Sequence, residues 1–347
     1  MKQPKDSIYF MTAPENRPSL PGWDHVPNVP IKVSPFFSWP PRPVEMWQWL
    51  EARWLRIAEN LIVLAICLLV WTFTQPAMEQ MKTLSIGWVA QIWVRNLVLM
   101  FLVAGSLHWF FFMRKGQGNR LKFDPRDLAI KGKQFNFGGQ VKDNMFWTLT
   151  SGVGFWTAYE VLMFYAMANG YAPHLSWAQN PIWFCALFLL TPVIISLHFY
   201  WIHRALHWGP LYRLAHALHH KNVNVGPWSG LSMHPIEHIA FFSSILVHFI
   251  IPAHPLHILF HMQHQSLTAQ HQSLTAATSH TGYEALLVKD RKTLALGTFH
   301  HQMHHRYFEV NYGNLEMPWD KWFGTFHNGT PEAHDAMKDR RQMRSKS

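Results

Sequence analysis

The chain has 347 residues, a formal net charge of +10 at pH 7 and only two cysteines. Two cysteines exclude a disulfide framework and a zinc site built from cysteines. The positive charge forms no basic stripe with interleaved aromatic residues, so we expect no nucleic-acid partner. Instead the charge lies beside long apolar blocks, which is typical of a protein at a membrane surface.

Four apolar blocks approach the roughly 20 residues that a helix needs to cross a bilayer. They cover residues 57–74, 88–113, 146–168 and 182–201. The loop of residues 114–133 carries seven Lys or Arg, whereas the loop of residues 169–180 carries none. Basic loops tend to stay in the cytoplasm. The pattern therefore predicts a cytoplasmic N-terminus and a fourth span that returns to the cytoplasm near His203.

A fifth apolar stretch, residues 239–260, is interrupted by Pro252 and Pro255. Proline removes a helical hydrogen bond and clashes with the preceding turn. We therefore expect a broken hairpin, residues 239–251 and 255–277, that enters and leaves the membrane on the cytoplasmic side. It contains the duplicated heptapeptides HQSLTAQ and HQSLTAA at residues 264–277.

The predicted fold class is all-α: a multi-pass transmembrane helical bundle with a histidine-rich helical cap on its cytoplasmic side. Four regions follow along the chain. Residues 1–55 form a polar N-terminal segment, and residues 56–145 form the first two transmembrane helices and the basic cytoplasmic loop. Residues 146–327 form the predicted catalytic domain, and residues 328–347 form a polar C-terminal tail.

Twenty of the 24 histidines lie between His198 and His327. Residues at i, i+3 and i+4 share one face of a helix, so each short cluster directs two or three imidazoles towards one point. Imidazole is a strong ligand for iron, zinc or copper. The eight imidazoles of the three tightest clusters exceed the needs of one ion and suit two. These clusters are His203 with His207, then His216, His219 and His220, and finally His301, His304 and His305.

Other polar residues in this region allow two interpretations each. His234 and His238 either join the metal site or serve a helix cap at the His-Pro pair. Arg204 and Asp320 either orient imidazoles from behind or form a structural pair that holds the C-terminal segment. The isolated histidines are expected to be core or wall residues, and they are His108, His198, His248, His257 and His261.

The three clusters, the sequences HPIEH and SHTGYE, and the run from Asn311 to Phe326 together resemble the fatty acid hydroxylase/sterol desaturase superfamily. The resemblance covers residues 147–326 and implies a multi-pass membrane protein whose histidines hold two metal ions, iron in function. One branch of the family has a further histidine four residues after the position of His280, and this chain has Glu284 there. Glu284 is therefore a candidate metal ligand or a candidate hydrogen-bond partner of a ligand. By motif position the implied ligands are His203, His207, His216, His219, His220, His280, His301, His304 and His305.

This resemblance implies a membrane di-iron oxygenase that hydroxylates or desaturates a sterol, fatty acid or sphingolipid. It would use two Fe2+ ions, O2 and electrons from a cytochrome b5-like or ferredoxin-like carrier. The lipid would enter from the bilayer, with its oxidisable carbon near a metal site on the cytoplasmic side. The basic residues 114–133 and 289–292 would attract an acidic carrier, although the positive-inside tendency alone also produces such loops. Because no obvious ER-retrieval signal ends the sequence, we expect a bacterial inner membrane, with the ER membrane as the eukaryotic alternative.

Three other functions stay open at this point. A membrane metal transporter or metal-binding protein needs polar groups along the bilayer midplane, whereas these clusters lie at helix ends. A membrane zinc hydrolase needs fewer ligands, an open coordination position and a general base. A haem carrier needs single histidines on facing spans. Metal analysis separates all three from a two-iron oxygenase.

Overall fold

The computed structural model describes residues 20–55, 59–267 and 276–346, and these residues are mostly helical. Proline stands at the first turn of several helices, where its missing N–H leaves no hydrogen bond unmade. The helices are α1 (Pro43–Trp54), α2 (Glu59–Phe73), α3 (Ile86–His108), α4 (Gln140–Trp147), α5 (Val153–Ala168), α6 (Pro181–Leu206), α7 (Gly209–Leu211), α8 (Pro235–Phe242), α9 (Pro255–Leu267), α10 (Ala276–Ser279), α11 (Phe299–Tyr307), α12 (Trp319–Trp322) and α13 (Pro331–Lys346).

Wider and tighter helical turns extend several of these helices. A π-helical turn, Trp109–Met113, lengthens α3, and a second one, Thr148–Gly152, joins α4 to α5 in one continuous rod. A third π-helical turn, Tyr212–His216, follows α7 and ends on one of the predicted ligands. A 3-10 turn, Ser243–Phe249, continues α8. Such π-helical turns are rare and are frequent at functional sites.

Two helices are long and apolar enough to cross a membrane: Ile86–Met113, with 28 residues, and Pro181–Leu206, with 26. Of two shorter apolar helices, Pro235–Phe249 contacts α6 and Asn60–Phe73 contacts α9. Of the four predicted spans, two thus reach the required length and composition among the described residues. The other two spans and the cytoplasmic orientation stay predictions.

The two long helices expose much of their apolar surface. On α3, Phe101 and Leu102 are 55% and 60% exposed, and on α6 Leu189 is 48% exposed. Contiguous apolar surface of this kind is unfavourable in water and marks contact with lipid or a partner. Together with the length of the helices, this exposure indicates a membrane protein.

The predicted break in the fifth apolar stretch lies at Pro252. The chain leaves the 3-10 turn at Phe249 and starts α9 at Pro255. The two arms are joined by Ser244 Oγ, 2.8 Å from His261 Nε2, and by His248 Nε2, 3.2 Å from His261 Nδ1. His261 is therefore a core residue with both ring nitrogens bonded, and His248 is a buried core residue bonded through Nε2. The duplicated heptapeptides fall mostly on residues 268–275, which lie outside the described residues.

One antiparallel hairpin departs from the all-α prediction. Strands β1 (Ala285–Val288) and β2 (Arg291–Ala295) pair across Lys289 and Asp290, which both have positive φ. Two central residues in this conformation form the turn that matches the twist of a hairpin. The hairpin also ties the two basic loops together, because Arg120 pairs with Asp290.

Candidate metal centre

Nine histidines converge in the cap as two neighbouring groups. Their ring nitrogens within each group all lie within 4.8 Å of one another. Rings of the two groups come as close as 5.0 Å between the centroids of His220 and His305. The five-histidine cluster consists of His203, His207, His216, His220 and His304, and the four-histidine cluster consists of His219, His280, His301 and His305.

Five segments bring these side chains together. His203 lies in the last turn of α6, and His207 follows the end of that helix. His216 closes the third π-helical turn, and a 3-10 turn, His219–Lys221, starts three residues later. His280 follows α10, and the last three histidines lie on α11. All nine histidines that the sequence analysis gave as implied ligands therefore lie at this centre.

Each H-x-x-H-H motif directs two of its three imidazoles to one cluster and the third to the other. His216 and His220 belong to the five-histidine cluster, but His219 belongs to the other. On α11 the division is reversed, because His301 and His305 join the four-histidine cluster and His304 joins the five-histidine cluster. The i, i+4 pair stays together while the neighbouring residue, about 100° away around a helix, diverges. Each H-x-x-H-H motif thus supplies both clusters.

In the five-histidine cluster, the Nε2 atoms of neighbouring rings face each other. His203 Nδ1 donates to Tyr312 O at 2.6 Å, and His304 Nδ1 donates to Val310 O at 2.7 Å. A carbonyl oxygen only accepts, so in the neutral rings each Nδ1 carries the proton and each Nε2 carries a lone pair. His203 Nε2 lies 3.1 Å from His216 Nε2, and His304 Nε2 lies 3.1 Å from His220 Nε2. Two lone pairs at this distance repel unless a proton or a metal cation lies between them.

The spacing of these atoms suits a metal ion. An ion bound at about 2.1 Å, the usual zinc–imidazole distance, sets neighbouring nitrogens about 3.0–3.4 Å apart. In the four-histidine cluster, His280 Nε2 lies 3.1 Å from both His301 Nε2 and His305 Nε2. His280 Nδ1 is held by Ser279 Oγ at 2.9 Å. Each cluster therefore fits one metal ion.

Burial keeps these imidazoles neutral, which is the form that binds metal. Burial, with a smaller contribution from His203, lowers the pKa of His207 to about 2, and burial lowers the pKa of His219 to about 4. Desolvation is the largest cause also for His304 and His305, whose pKa values fall well below the usual range. At neutral pH the lone pairs are therefore available without loss of a proton.

An apolar cavity adjoins both clusters. Phe199, Ile202 and Leu206 of α6 form one wall, and Met233 and Phe241 form the other. Gly230 and Glu237 also line the cavity. The remaining lining consists of histidines from both clusters: His203, His216, His219, His280 and His301. A pocket that is apolar except at one polar end is suited to hold a lipid carbon beside the metal positions.

A family model described as fatty acid hydroxylase matches residues 188–325, which contain all nine histidines. The chain is 27% identical over 260 residues to a Delta(7)-sterol-C5(6)-desaturase of Nicotiana tabacum. The similarity to the fatty acid hydroxylase family thus covers residues 188–325, less than half of the chain. The chain is also 32% identical over 152 residues to methylsterol monooxygenase erg25A of Aspergillus fumigatus and 30% identical over 148 residues to human lathosterol oxidase.

Coverage differs between these relatives. The match to the tobacco desaturase spans 72% of this chain and 86% of that enzyme. For the Aspergillus and human enzymes the chain spans about half of their length, 47% in each case. No solved structure matches the chain significantly. By their names, these relatives are a desaturase, a monooxygenase and an oxidase of sterols.

Glu284 lies away from both clusters. Its carboxylate contacts His25 Nε2 at 2.5 Å and accepts from Lys292 Nζ at 2.7 Å. Although burial alone would raise the pKa of Glu284, the contacts with His25 and Lys292 lower it to about 2. Glu284 therefore anchors the N-terminal segment and the hairpin, and the structure does not place it as a ligand.

His234 and His238 also lie outside the two clusters. His234 Nδ1 accepts from the backbone N–H of Ile236 at 3.3 Å, so it caps α8. His238 lies 3.0 Å from Ser151 Oγ through Nδ1 and 3.2 Å from the carbonyl oxygen of Leu231 through Nε2. Of the two interpretations of the His-Pro segment, the geometry favours the structural one.

Arg204 and Asp320 act at a distance from the imidazoles. Arg204 donates to Tyr200 Oη at 2.6 Å and lies 5.3 Å from the ring centre of Phe323. Asp320 accepts from the backbone N–H groups of Tyr312 and Gly313 at 2.9 and 2.7 Å. Asp320 thus fixes the loop that contains Tyr312. The backbone carbonyl of Tyr312 accepts the hydrogen bond from His203 Nδ1.

Glu237 is a site residue that the sequence analysis missed. It lies 2.7 Å from His216 Nδ1 through Oε1, which gives His216 the same back-side support that carbonyls give its neighbours. Its one signal in the sequence was an acidic residue between His234 and His238, in the first turn of a helix.

The N-terminal segment supports the helix that carries three ligands. The opposite face of α11 packs Phe299, Met303 and Tyr307 against Leu20 and Val26. Trp23 Nε1 donates to Tyr307 Oη at 3.0 Å. The guanidinium of Arg306 lies 3.7 Å from the ring centre of Trp23 and donates to Gly22 O at 2.7 Å. We call residues 20–37 the N-terminal strap, because they cross the cap on the side away from the metal positions.

Trp23→Ala is expected to destabilise the cap by about 2 kcal/mol, since it removes half-buried apolar surface, a hydrogen bond and the contact with Arg306. Thermal unfolding of the purified protein measures this loss as a lower midpoint. Trp39→Ala serves as the control, because Trp39 is 90% exposed. Equal midpoints for the two variants would show that the strap does not support α11.

Proposed function

We propose that this protein is a membrane di-iron oxygenase that hydroxylates or desaturates a lipid, with a sterol as the first substrate to test. One observation carries the proposal: two groups of inward-facing imidazole nitrogens meet at the polar end of an apolar cavity. The sterol desaturase and methylsterol monooxygenase relatives support the substrate class.

The composition of the donor set favours iron over zinc. Catalytic zinc usually has three protein ligands and an open position, whereas these clusters offer four and five imidazoles. A bound pair of irons would supply the activation of O2 that oxidation of an unactivated C–H bond requires. The overall reaction takes two electrons from the C–H bond and two from an external donor, which together reduce O2.

In this proposal, residues of the chain orient the imidazoles and hold the substrate. Backbone carbonyls fix the tautomers of His203 and His304, so that the Nε2 atoms point inwards. The walls formed by Phe199 and Phe241 shield the clusters from bulk water and hold an apolar substrate beside them. Exposed apolar residues on the same helices, Trp201 on α6 and Ile239 on α8, suit entry of the lipid from the bilayer.

Electrons enter, in this proposal, at the edge of the five-histidine cluster that reaches the surface. His207 is the one half-buried member of the nine histidines, and the other eight are buried. Its ring centre lies 4.9 Å from that of Tyr312 and 5.7 Å from that of Tyr212. A docked redox protein, cytochrome b5-like or ferredoxin-like, would place its cofactor nearest to the metals on this edge.

The test uses the purified full chain loaded with Fe2+ without oxygen, then supplied with a reducing system, O2 and a panel of sterols. We expect one sterol to gain an oxygen atom or lose two hydrogens, as seen by mass spectrometry, and only when O2 is present. Protein loaded with Zn2+ is the control. Failure of every sterol, and an unchanged lipid profile in cells with and without the gene, would refute the proposal.

A further inference from the structure

Glu237 occupies an unusual place beside the two histidine clusters. It lies in the first turn of α8, is 2% exposed, and lines the cavity that adjoins both clusters. Its Oε1 is 2.7 Å from His216 Nδ1. Its Oε2 is buried and has no hydrogen-bond partner in the part of the chain that the structure describes.

A buried carboxylate oxygen without a partner is unfavourable unless something binds it. The cavity beside it contains histidines of both clusters, including His219 and His280. The group that best suits Oε2 is an O–H group that can both donate and accept a hydrogen bond and is small enough to share this space with a lipid. Water is the donor that always meets this requirement.

We propose that Glu237 is a positioning residue with two separate contacts. One oxygen fixes the tautomer and ring orientation of His216 in the five-histidine cluster, and the other holds a water molecule in the cavity between the clusters. The inference rests on the proposed two-metal centre and extends it to a residue that binds no metal itself. Carboxylate partners of metal-binding histidines typically strengthen metal binding 10–100-fold.

The test is a titration of the full chain with Co2+, whose visible absorption reports the geometry of its ligands. Wild-type protein is expected to bind two equivalents. Glu237→Ala is expected to bind one equivalent normally and the other 10–100-fold more weakly, with an altered spectrum. Addition of formate, which brings a carboxylate into the vacated space, should restore both affinity and spectrum. Glu237→Gln retains an oxygen that accepts from His216, so its affinity should stay near that of wild type.

Glu284→Ala is the matched control, because Glu284 is a largely buried carboxylate of the same cap that contacts neither cluster. It should bind both equivalents normally. Normal binding of both equivalents by Glu237→Ala, or weak binding that formate does not restore, would overturn the role of Glu237. A wild-type chain that binds fewer than two equivalents would instead overturn the two-metal centre.

Discussion

His304→Ala and His219→Ala should each abolish lipid oxidation, but they should lower the bound metal to different extents. His219→Ala leaves three imidazoles in its cluster, whereas His304→Ala leaves four in the other. Loss of a direct ligand weakens metal binding more than the 10–100-fold typical of a lost outer partner. We therefore expect loss of one ion with His219→Ala and partial loss with His304→Ala.

Turnover with the reducing system and metal analysis of the purified variants measure both effects. His234→Ala is the matched control, since His234 caps α8 and lies outside the clusters. It should retain both ions. Full activity of either ligand variant with unchanged metal content would contradict the assignment of the clusters.

Met233→Trp should reduce turnover at least about 100-fold while both metal ions stay bound. Met233 is 4% exposed and forms part of the cavity wall. A larger side chain there fills the space that a lipid carbon needs, at a cost of about 1–3 kcal/mol in packing. Turnover of the sterol that the wild-type enzyme oxidises, measured beside metal content, separates a blocked cavity from a damaged metal centre.

Ile236→Trp provides the comparison, because Ile236 lies three residues further along and is 40% exposed. This variant should keep most of its activity. If Met233→Trp oxidised the sterol as fast as Ile236→Trp does, the cavity beside the clusters would not be the substrate site.

The sequence predicted which histidines meet but not how they divide. Repeated i, i+3 and i+4 spacing predicts shared helix faces, and the structure brings all nine implied ligands together. The separation of His219 from His216 and His220 depends on a π-helical turn followed by a 3-10 turn, and neither leaves a periodic signal. The meeting of these nine histidines was therefore predictable, whereas their division into five and four was not.

Residues without a repeating pattern were the hardest to place. Glu284 follows a clustered histidine at i+4 spacing, yet Lys292 and His25 bind it elsewhere. His25 is 259 residues away along the chain, so only the fold shows this contact. In the apolar bundle, the buried pair of Arg95 and Glu160 likewise joins α3 to α5 across positions that apolar periodicity does not single out.

The central claim is that the two imidazole clusters bind a pair of iron ions. Metal analysis of the purified full chain after anaerobic loading with Fe2+ and removal of excess metal tests it most directly. We predict two irons per chain, with Mössbauer spectra that show two ferrous sites with nitrogen ligands. A single ion per chain, or iron that washes away while zinc is retained, would contradict the account.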